Sequence, residues 1–170
     1  MAETMRAALD EGTGQYIVQD VPMPEMFEGS AMIRIRQTGI CGSDLHVTTS
    51  RTEAQTLPSG HEVAGEIVEI PKGDHDLQVG DRVAIEMIGG GRACMSCHFC
   101  SYGQWRHCLN MAVDTGGGFA QYMTRRPAGL FKIPDSMDWT DAALVEPMAV
   151  SVHGFRFGQM EPNSVVGVVG

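Results

Sequence analysis

Residues 94–108 read Cys94-Met-Ser-Cys-His-Phe-Cys-Ser-Tyr-Gly-Gln-Trp-Arg-His-Cys108 and hold four of the five cysteines of this 170-residue chain. The spacing is C-x2-C-x2-C-x7-C, so the four thiols can converge on one point only if the backbone wraps around something between them. Four thiolates complete the tetrahedral coordination of Zn²⁺ and leave no open position, which predicts a structural zinc. A redox C-x-x-C pair and an iron–sulfur cluster are the alternatives with similar spacing.

The composition indicates one acidic globular unit. Hydrophobic residues make up 43% of the chain, which is enough for one well-buried core. Twelve Lys and Arg against 21 Asp and Glu give a net charge of -9, which opposes attraction to nucleic acids and anionic membranes. Because the sequence shows neither a secretory signal nor a membrane span, we expect a cytoplasmic protein without a nucleic-acid or membrane partner. In that reducing compartment, clustered cysteines bind metal or carry out redox chemistry rather than form disulfides.

Short β-strands account for most of the chain up to residue 133. Two apolar runs separated by a Gly-rich turn predict an opening hairpin, and alternating or β-branched runs bounded by Gly, Pro and Asp predict the later strands. Arg125 and Arg126 are interpreted as a solvated strand end rather than a phosphate clamp. This pattern predicts a barrel or sandwich, with strands near residues 7–9, 16–18, 31–38, 63–70, 82–88, 119–124 and 129–133.

Towards the C-terminus, the apolar period becomes helical over residues 141–159, with Asp138 or Thr140 as the N-cap. Pro147 disfavours α geometry in the residue before it, so we predict that Glu146 lies at a break between two helical pieces. A carboxylate at such a break can point inward.

A second group of metal-binding residue types lies outside residues 94–108. Cys41, His61, Glu62 and Glu146 offer one thiolate, one imidazole and two carboxylates. The His61-Glu62 pair by itself is an ordinary feature of polar loops, so the hypothesis depends on the whole set. That set suits a zinc with one exchangeable position, which is what a catalytic zinc requires.

Six stretches follow one another along nearly the whole chain: Gly39-Ile-Cys-Gly-Ser-Asp-Leu-His46, Gly60-His-Glu-Val-Ala-Gly65, Val79-Gly-Asp-Arg-Val83, the four cysteines of residues 94–108, Gly117-Gly-Phe-Ala-Gln-Tyr122 and Ala142-Ala-Leu-Val-Glu-Pro-Met-Ala-Val150. In this order they resemble the N-terminal, GroES-like catalytic domain of the zinc-dependent medium-chain alcohol and polyol dehydrogenases. The resemblance implies a mainly β fold with peripheral helices (α+β), built on a GroES-like barrel.

The resemblance also implies a division of the chain into two parts. Residues 1–160 correspond to the zinc-binding catalytic domain, and residues 161–170 to the start of a truncated dinucleotide-binding domain. The β-branched run at residues 165–170 resembles the first strand of a Rossmann unit, without the G-x-G-x-x-G turn and acidic residue that follow in a complete one. We therefore expect a fragment or a chain that relies on a partner.

The resemblance assigns roles to particular residues. Cys41 and His61 are implied to bind the catalytic zinc, Glu62 is either a direct ligand or lies immediately behind the metal, and Glu146 takes the remaining protein position. The Glu146-Pro147 pair is similar to that of the sorbitol- and threonine-dehydrogenase branch.

Three further residues of the first stretch acquire roles in the same way. Asp44 is implied to accept the second N–H of His61 and fix its tautomer; the alternative is an Asx-turn. Ser43 and His46 resemble the family's proton relay; the alternatives are a turn residue and a solvated histidine.

The predicted function is hydride transfer from a secondary alcohol, polyol or amino alcohol to NAD or NADP, with one catalytic and one structural Zn²⁺. No cofactor-binding residue is assigned. The expected partners are a small alcohol substrate and either a second copy of the chain or a complementing cofactor-domain chain. The alternative hypothesis is a zinc-stabilised binding module without activity; a zinc-ribbon nucleic-acid binder is disfavoured by the acidic charge.

Overall fold

The structure is a computed structural model that describes residues 3–50, 52–161 and 163–169, with only the backbone of residues 47–50. No helix within those ranges is long and apolar enough to cross a membrane. The strands of the described residues are β1 (Thr4–Asp10), β2 (Tyr16–Pro22), β3 (Ala31–Gly39), β4 (Glu62–Glu69), β5 (Arg82–Ile85), β6 (Tyr122–Arg125) and β7 (Leu130–Lys132). The helices are α1 (Gly42–Ser50), α2 (Gly89–Arg92), α3 (His98–Ser101), α4 (Trp139–Ala143) and α5 (Val145–Phe157), with short 3₁₀ turns at Trp105–His107 and Pro127–Gly129.

The strands form two antiparallel sheets. β1 and β2 make the predicted hairpin, and the other five strands form a sheet in the order β6-β3-β4-β5-β7. The hairpin is attached to the larger sheet through a bridge between Ala7 and Ala120, next to which the Ala8 N–H donates to the Phe119 carbonyl at 2.7 Å. The mainly β prediction is therefore confirmed.

Two buried clusters cover the two faces of the five-stranded sheet. The larger contains Ile33, Ile67, Val83 and Met123, all fully buried. Ala64 and Ala84 follow buried residues of the first cluster along their strands, so they point to the opposite face, where Ala142 of α4 packs against them. Their small side chains let the helix approach the sheet closely.

The predicted strands differ from the observed ones mainly at β5. This strand ends at Ile85 rather than at residue 88, because the Glu86 carboxylate accepts the N–H groups of Ile88 at 2.9 Å and Gly91 at 3.2 Å. These bonds turn the chain into α2. Alternation along β3 is also interrupted, by a register shift between Ile35 and Gln37.

The C-terminal helical segment divides earlier than predicted. Asp138 is the N-cap of α4, since its carboxylate accepts the Asp141 N–H at 2.8 Å. The break falls at Leu144, so Glu146 and Pro147 lie in the first turn of α5. The prediction of a break at Glu146 is wrong, because the first turn of a helix tolerates proline, whose missing N–H has no intrahelical partner there.

Residues 163–169 form no strand. Val165, Val168 and Val169 are fully exposed or nearly so, and no described strand pairs with them. A parallel strand needs a neighbour to satisfy its backbone groups, so the β-branched run stays irregular here. Pro162 and Gly170 lie outside the described residues, and the assignment of residues 161–170 to a second domain stays a prediction.

The prediction that Arg125 is solvated is wrong. Arg125 has the largest fully buried side chain among the described residues, and burial lowers its pKa to about 10. Its guanidinium donates to the carbonyls of Thr124 at 2.7 Å and Gly116 at 2.8 Å, which offsets the cost of burying the charge. Arg126 is partly buried, with its guanidinium 5.4 Å from the centre of the Phe27 ring.

Candidate metal centres

The four clustered cysteines converge in a lobe formed by residues 89–110, here called the cysteine lobe. The Sγ atoms of Cys94, Cys97, Cys100 and Cys108 all lie within 4.8 Å of one another. Cys97 immediately precedes α3, so Cys100 follows one turn later on the same side of the chain, with the two Sγ atoms 3.5 Å apart. The N–H groups of Cys94 and Asn110 point at Cys108 Sγ, at 3.3 and 3.4 Å.

The surroundings of these thiols favour ionisation at two positions. Hydrogen bonds from the side chain and backbone of Ser96 lower the pKa of Cys94 to about 5, and backbone N–H groups of Leu109 and Cys100 lower the pKa of Cys97. Burial, together with hydrogen bonding to the neighbouring thiols, raises the pKa of Cys100 to about 12. All four are free thiols, and a site of four sulfurs with backbone donors around it fits a tetrahedral zinc.

A second group of donors lies at the end of the sheet and is here called the mixed-donor centre. One ligand atom each of Cys41, His61 and Glu62 lies within 4.8 Å of the others. The antiparallel register of β3 and β4 produces this grouping, since Gly39 at the end of β3 pairs with Glu62 at the start of β4. Cys41 follows β3 closely, so it reaches the residues that open β4.

Asp44 lies behind two of these donors. Its buried carboxylate accepts the Cys41 N–H through Oδ2 at 3.0 Å, and its Oδ1 is 3.7 Å from His61 Nδ1. The second distance is that of an ion pair rather than of a hydrogen bond. An anion on the Nδ1 side favours a proton there and leaves Nε2 available to bind a metal ion. Asp44 thus makes a turn contact to Cys41 and faces the imidazole at the same time.

Glu146 approaches the mixed-donor centre from α5 but is not part of the three-residue group. Burial raises the pKa of its carboxyl, the His61 imidazole acts in the opposite direction, and the charges of Glu62 and Glu86 add to the increase. Glu146 also lines a cleft of about 600 Å³ that extends to Trp105 of the cysteine lobe. A cation at the centre would relieve the repulsion among these carboxylates, which fits a metal site.

Comparison with known proteins identifies the family. Residues 28–135 match the model of the alcohol dehydrogenase GroES-like domain. The chain belongs to this family. It is 32% identical over 177 residues to sorbitol dehydrogenase of Bacillus subtilis (strain 168), an alignment that covers 99% of this chain and 49% of that enzyme. It is 35% identical over 155 residues to L-threonine 3-dehydrogenase of Francisella philomiragia, covering 86% of this chain and 43% of that enzyme.

A solved structure gives the same result for the fold. A short chain alcohol dehydrogenase from E. coli CFT073, complexed with the cofactor NADH, superposes on this GroES-like domain with a TM-score of 0.76. The two sequences are 27% identical, and the match covers 95% of this chain and 48% of that one. The chain therefore spans about half the length of the curated relatives it matches. The predicted resemblance to GroES-like domains is confirmed.

Ser43 and His46 of this GroES-like domain lie on α1, which begins at Gly42. Both are exposed, and their spacing of three residues places them on one side of the helix. The helix follows Cys41 directly, so the Cα atoms of Ser43 and His46 lie near the mixed-donor centre.

Glu86 is a residue of the GroES-like domain that the sequence reasoning missed. It caps the start of α2 and its charge acts on Glu146, so it touches both the cysteine lobe and the surroundings of the mixed-donor centre. The only local signal is a carboxylate shortly before the glycine run 89–91. Such a pair indicates a side chain that can accept backbone N–H groups at a tight turn.

Proposed function

We propose that this chain is the zinc-binding catalytic part of an NAD(P)-dependent dehydrogenase that oxidises a secondary alcohol, polyol or amino alcohol. The observation that supports it most is the grouping of Cys41, His61 and Glu62 within 4.8 Å, separate from an all-cysteine cluster. A non-enzymatic module stabilised by the cysteine lobe has no use for that second group. Membership of the alcohol dehydrogenase GroES-like family supports the same function.

In this proposal the two groups hold different ions. The four cysteines of the lobe hold a structural zinc with no open position. Cys41 and His61, with either Glu62 or Glu146 as the third protein ligand, hold a catalytic zinc. Bound there, zinc supplies Lewis-acid chemistry that lowers the pKa of an alcohol hydroxyl at the open position.

The neighbouring residues orient the ligands and move the proton. Asp44 keeps the imidazole of His61 in one tautomer and orientation. The Ser43 hydroxyl takes the substrate proton and passes it towards His46, whose imidazole is exposed to solvent. NAD or NADP, when bound, would supply the hydride acceptor, and the NADH complex of the E. coli relative supports a cofactor of this class.

The remaining parts of the proposal concern the partners of the chain. Residues 161–170 begin a dinucleotide-binding domain, which supplies the cofactor in cis or from a complementing chain. The substrate is a small alcohol, and a homo-oligomer in the cytoplasm is the proposed assembly. The names of the sorbitol and threonine dehydrogenase relatives support the polyol and amino-alcohol classes.

Zinc stoichiometry tests the proposal. We expect two zinc ions per purified chain and one in the Cys41→Ala variant, because a mixed-donor centre without its thiolate binds zinc weakly. Ser43→Ala is the matched control: it lies two residues away, removes only the proposed proton acceptor, and should retain both ions. A wild-type chain with one zinc, or a Cys41→Ala variant with unchanged zinc content, would favour the binding module instead.

A further inference from the structure

Arg125 stands at a point where several segments of the domain meet. Besides its bonds to the Thr124 and Gly116 carbonyls, the guanidinium donates to Thr115 Oγ1 at 3.3 Å and lies 3.8 Å from the Met87 sulfur. These partners belong to β6, to the turn before it, and to the segment between β5 and α2. The rigid, planar guanidinium group of Arg125 therefore joins parts of the chain that are distant in sequence.

On one side, Arg125 packs against the cysteine lobe. A Cβ atom on Gly91 of α2 would lie 3.0 Å from Arg125 Cδ, and the Arg126 N–H donates to the Gly91 carbonyl at 2.9 Å. α2 ends shortly before Cys94, the first cysteine of the lobe. The position of the arginine is thus fixed by the helix that enters the lobe.

On the other side, Gly116 begins a short series of backbone hydrogen bonds, here called the backbone ladder. The ladder ends beside His61. Gly116 accepts the guanidinium bond, the Gly117 N–H donates to the Pro58 carbonyl at 2.6 Å, and the Gly118 N–H donates to the Gly60 carbonyl at 2.8 Å. A side chain on Gly117 would overlap the Gly60 carbonyl, so the two segments joined by these hydrogen bonds are in direct backbone contact. His61 is the next residue.

The same route borders one cavity. Arg125, Gly116, Met87, His61 and Asp44 all line a cavity of about 480 Å³. Arg125 makes no contact with Cys41, Glu62 or Glu146 in the hydrogen bonds and ion pairs of the described residues. Among the hydrogen bonds of the described residues, the backbone ladder is the route that leads from Arg125 towards the mixed-donor centre.

We propose that Arg125 is a positioning residue that fixes the Pro58–Gly60 segment, and through it His61, in the geometry that the mixed-donor centre requires. The inference rests on the metal centre of the proposed function. A buried guanidinium must keep its hydrogen-bond acceptors because losing them leaves a charge unsolvated, so its partners are held in one arrangement. Contact with α2 fixes the position of Arg125 itself. Arg125 therefore connects the mixed-donor centre to the cysteine lobe.

Zinc affinity of the two sites, measured on the 170-residue chain by chelator competition, tests this inference. We expect Arg125→Met to weaken the mixed-donor site about tenfold, the low end of what loss of an outer support costs a metal site, and to change the cysteine site by less than about twofold. Arg125→Lys keeps the charge but not the planar fork, and should fall between Arg125→Met and wild type. Arg126→Met is the matched control and should bind both ions as wild type does.

The outcomes separate the inference from the proposed function. A wild-type chain that binds a single zinc contradicts the mixed-donor centre itself. A wild-type chain with two zinc ions, and Arg125 variants that hold both equally tightly, contradicts the positioning role alone. Equal weakening of both sites with a lower melting temperature also contradicts it, because that result indicates a general packing defect. If Arg125→Met does not fold, Arg125→Lys decides between these outcomes.

Discussion

At the scale of single residues, Gly39 determines the space available to Glu62. The two are cross-strand partners at the end of the β3–β4 ladder. A methyl group on Gly39 would overlap Glu62 Oε2. Glycine is required here by close approach rather than by backbone conformation, and the room it leaves keeps a carboxylate beside Cys41 and His61.

The variant Gly39→Ala should displace the Glu62 carboxylate and weaken zinc binding at the mixed-donor centre by about tenfold or more. Gly42→Ala is a matched control, because a Cβ on Gly42 meets nothing within 4 Å. Titration of zinc into the apo chain under chelator competition measures both. Equal affinities for the two variants would show that the position of Glu62 does not matter to the metal.

At the scale of elements, the pairing of β3 with β4 is reinforced on the face away from the larger buried cluster. Glu66 Oε2 of β4 accepts hydrogen bonds from two arginines of β3, from Arg34 Nη2 at 3.1 Å and from Arg36 Nη2 at 2.8 Å. These hydrogen bonds lower the pKa of Glu66 from its ordinary value of 4.5, and the bond from Arg36 has the largest effect. Glu62 opens β4, His61 immediately precedes it and Cys41 follows β3 closely, so the register of the two strands matters for the mixed-donor centre as well as for the sheet.

Replacing Glu66 by Gln should lower the free energy of unfolding at pH 7 by about 0.5–1 kcal/mol, since the pair is partly exposed and screened by solvent. A lowered folded-state pKa means that the contribution is complete above pH 4.5 and is lost as the pH falls through the folded-state value. Urea denaturation of both proteins at several pH values measures this. Glu69→Gln, an exposed change in the same strand, is the control; a Glu66→Gln deficit that persists at pH 2 would contradict the explanation.

At the scale of the whole molecule, two parts are stabilised in different ways. The larger buried cluster is built from residues of β3 to β7, whereas the cysteine lobe holds four sulfurs at its centre. Ala93 and Cys100 are the buried hydrophobic residues of the lobe, so we propose that the lobe depends on a bound zinc for its folding free energy, as small zinc modules do. The sheet has its own hydrophobic core and does not.

Removal of zinc with a strong chelator should therefore unfold the lobe and spare the sheet. We expect amides of residues 94–110 to lose protection in hydrogen exchange, while those of β3 and β4 keep theirs. Cys100→Ser, which removes the buried thiol of the lobe, should give the same pattern without chelator. Loss of protection across the sheet as well would show that the two parts unfold as one unit.

The sequence alone specified the family, the mainly β fold and the location of most strands. Six motifs in order and the spacing of the cysteines carry that information, because each is a local constraint: a turn, an alternating strand, or four thiols close enough in sequence to reach one ion. Local constraints can be seen in the residues that make them. The N-cap Asp138 is another example, since it was among the two predicted caps and accepts the Asp141 N–H.

Tertiary structure brings together residues that lie far apart in the sequence. Cys41 and His61 are 20 positions apart, and they come together because β3 and β4 pair in a register that places Gly39 opposite Glu62. The sequence predicts a solvated Arg125, but the Gly116 carbonyl and helix α2 lie against its side chain and bury it. Such arrangements follow from the free energy of the whole chain, which no short stretch of sequence contains.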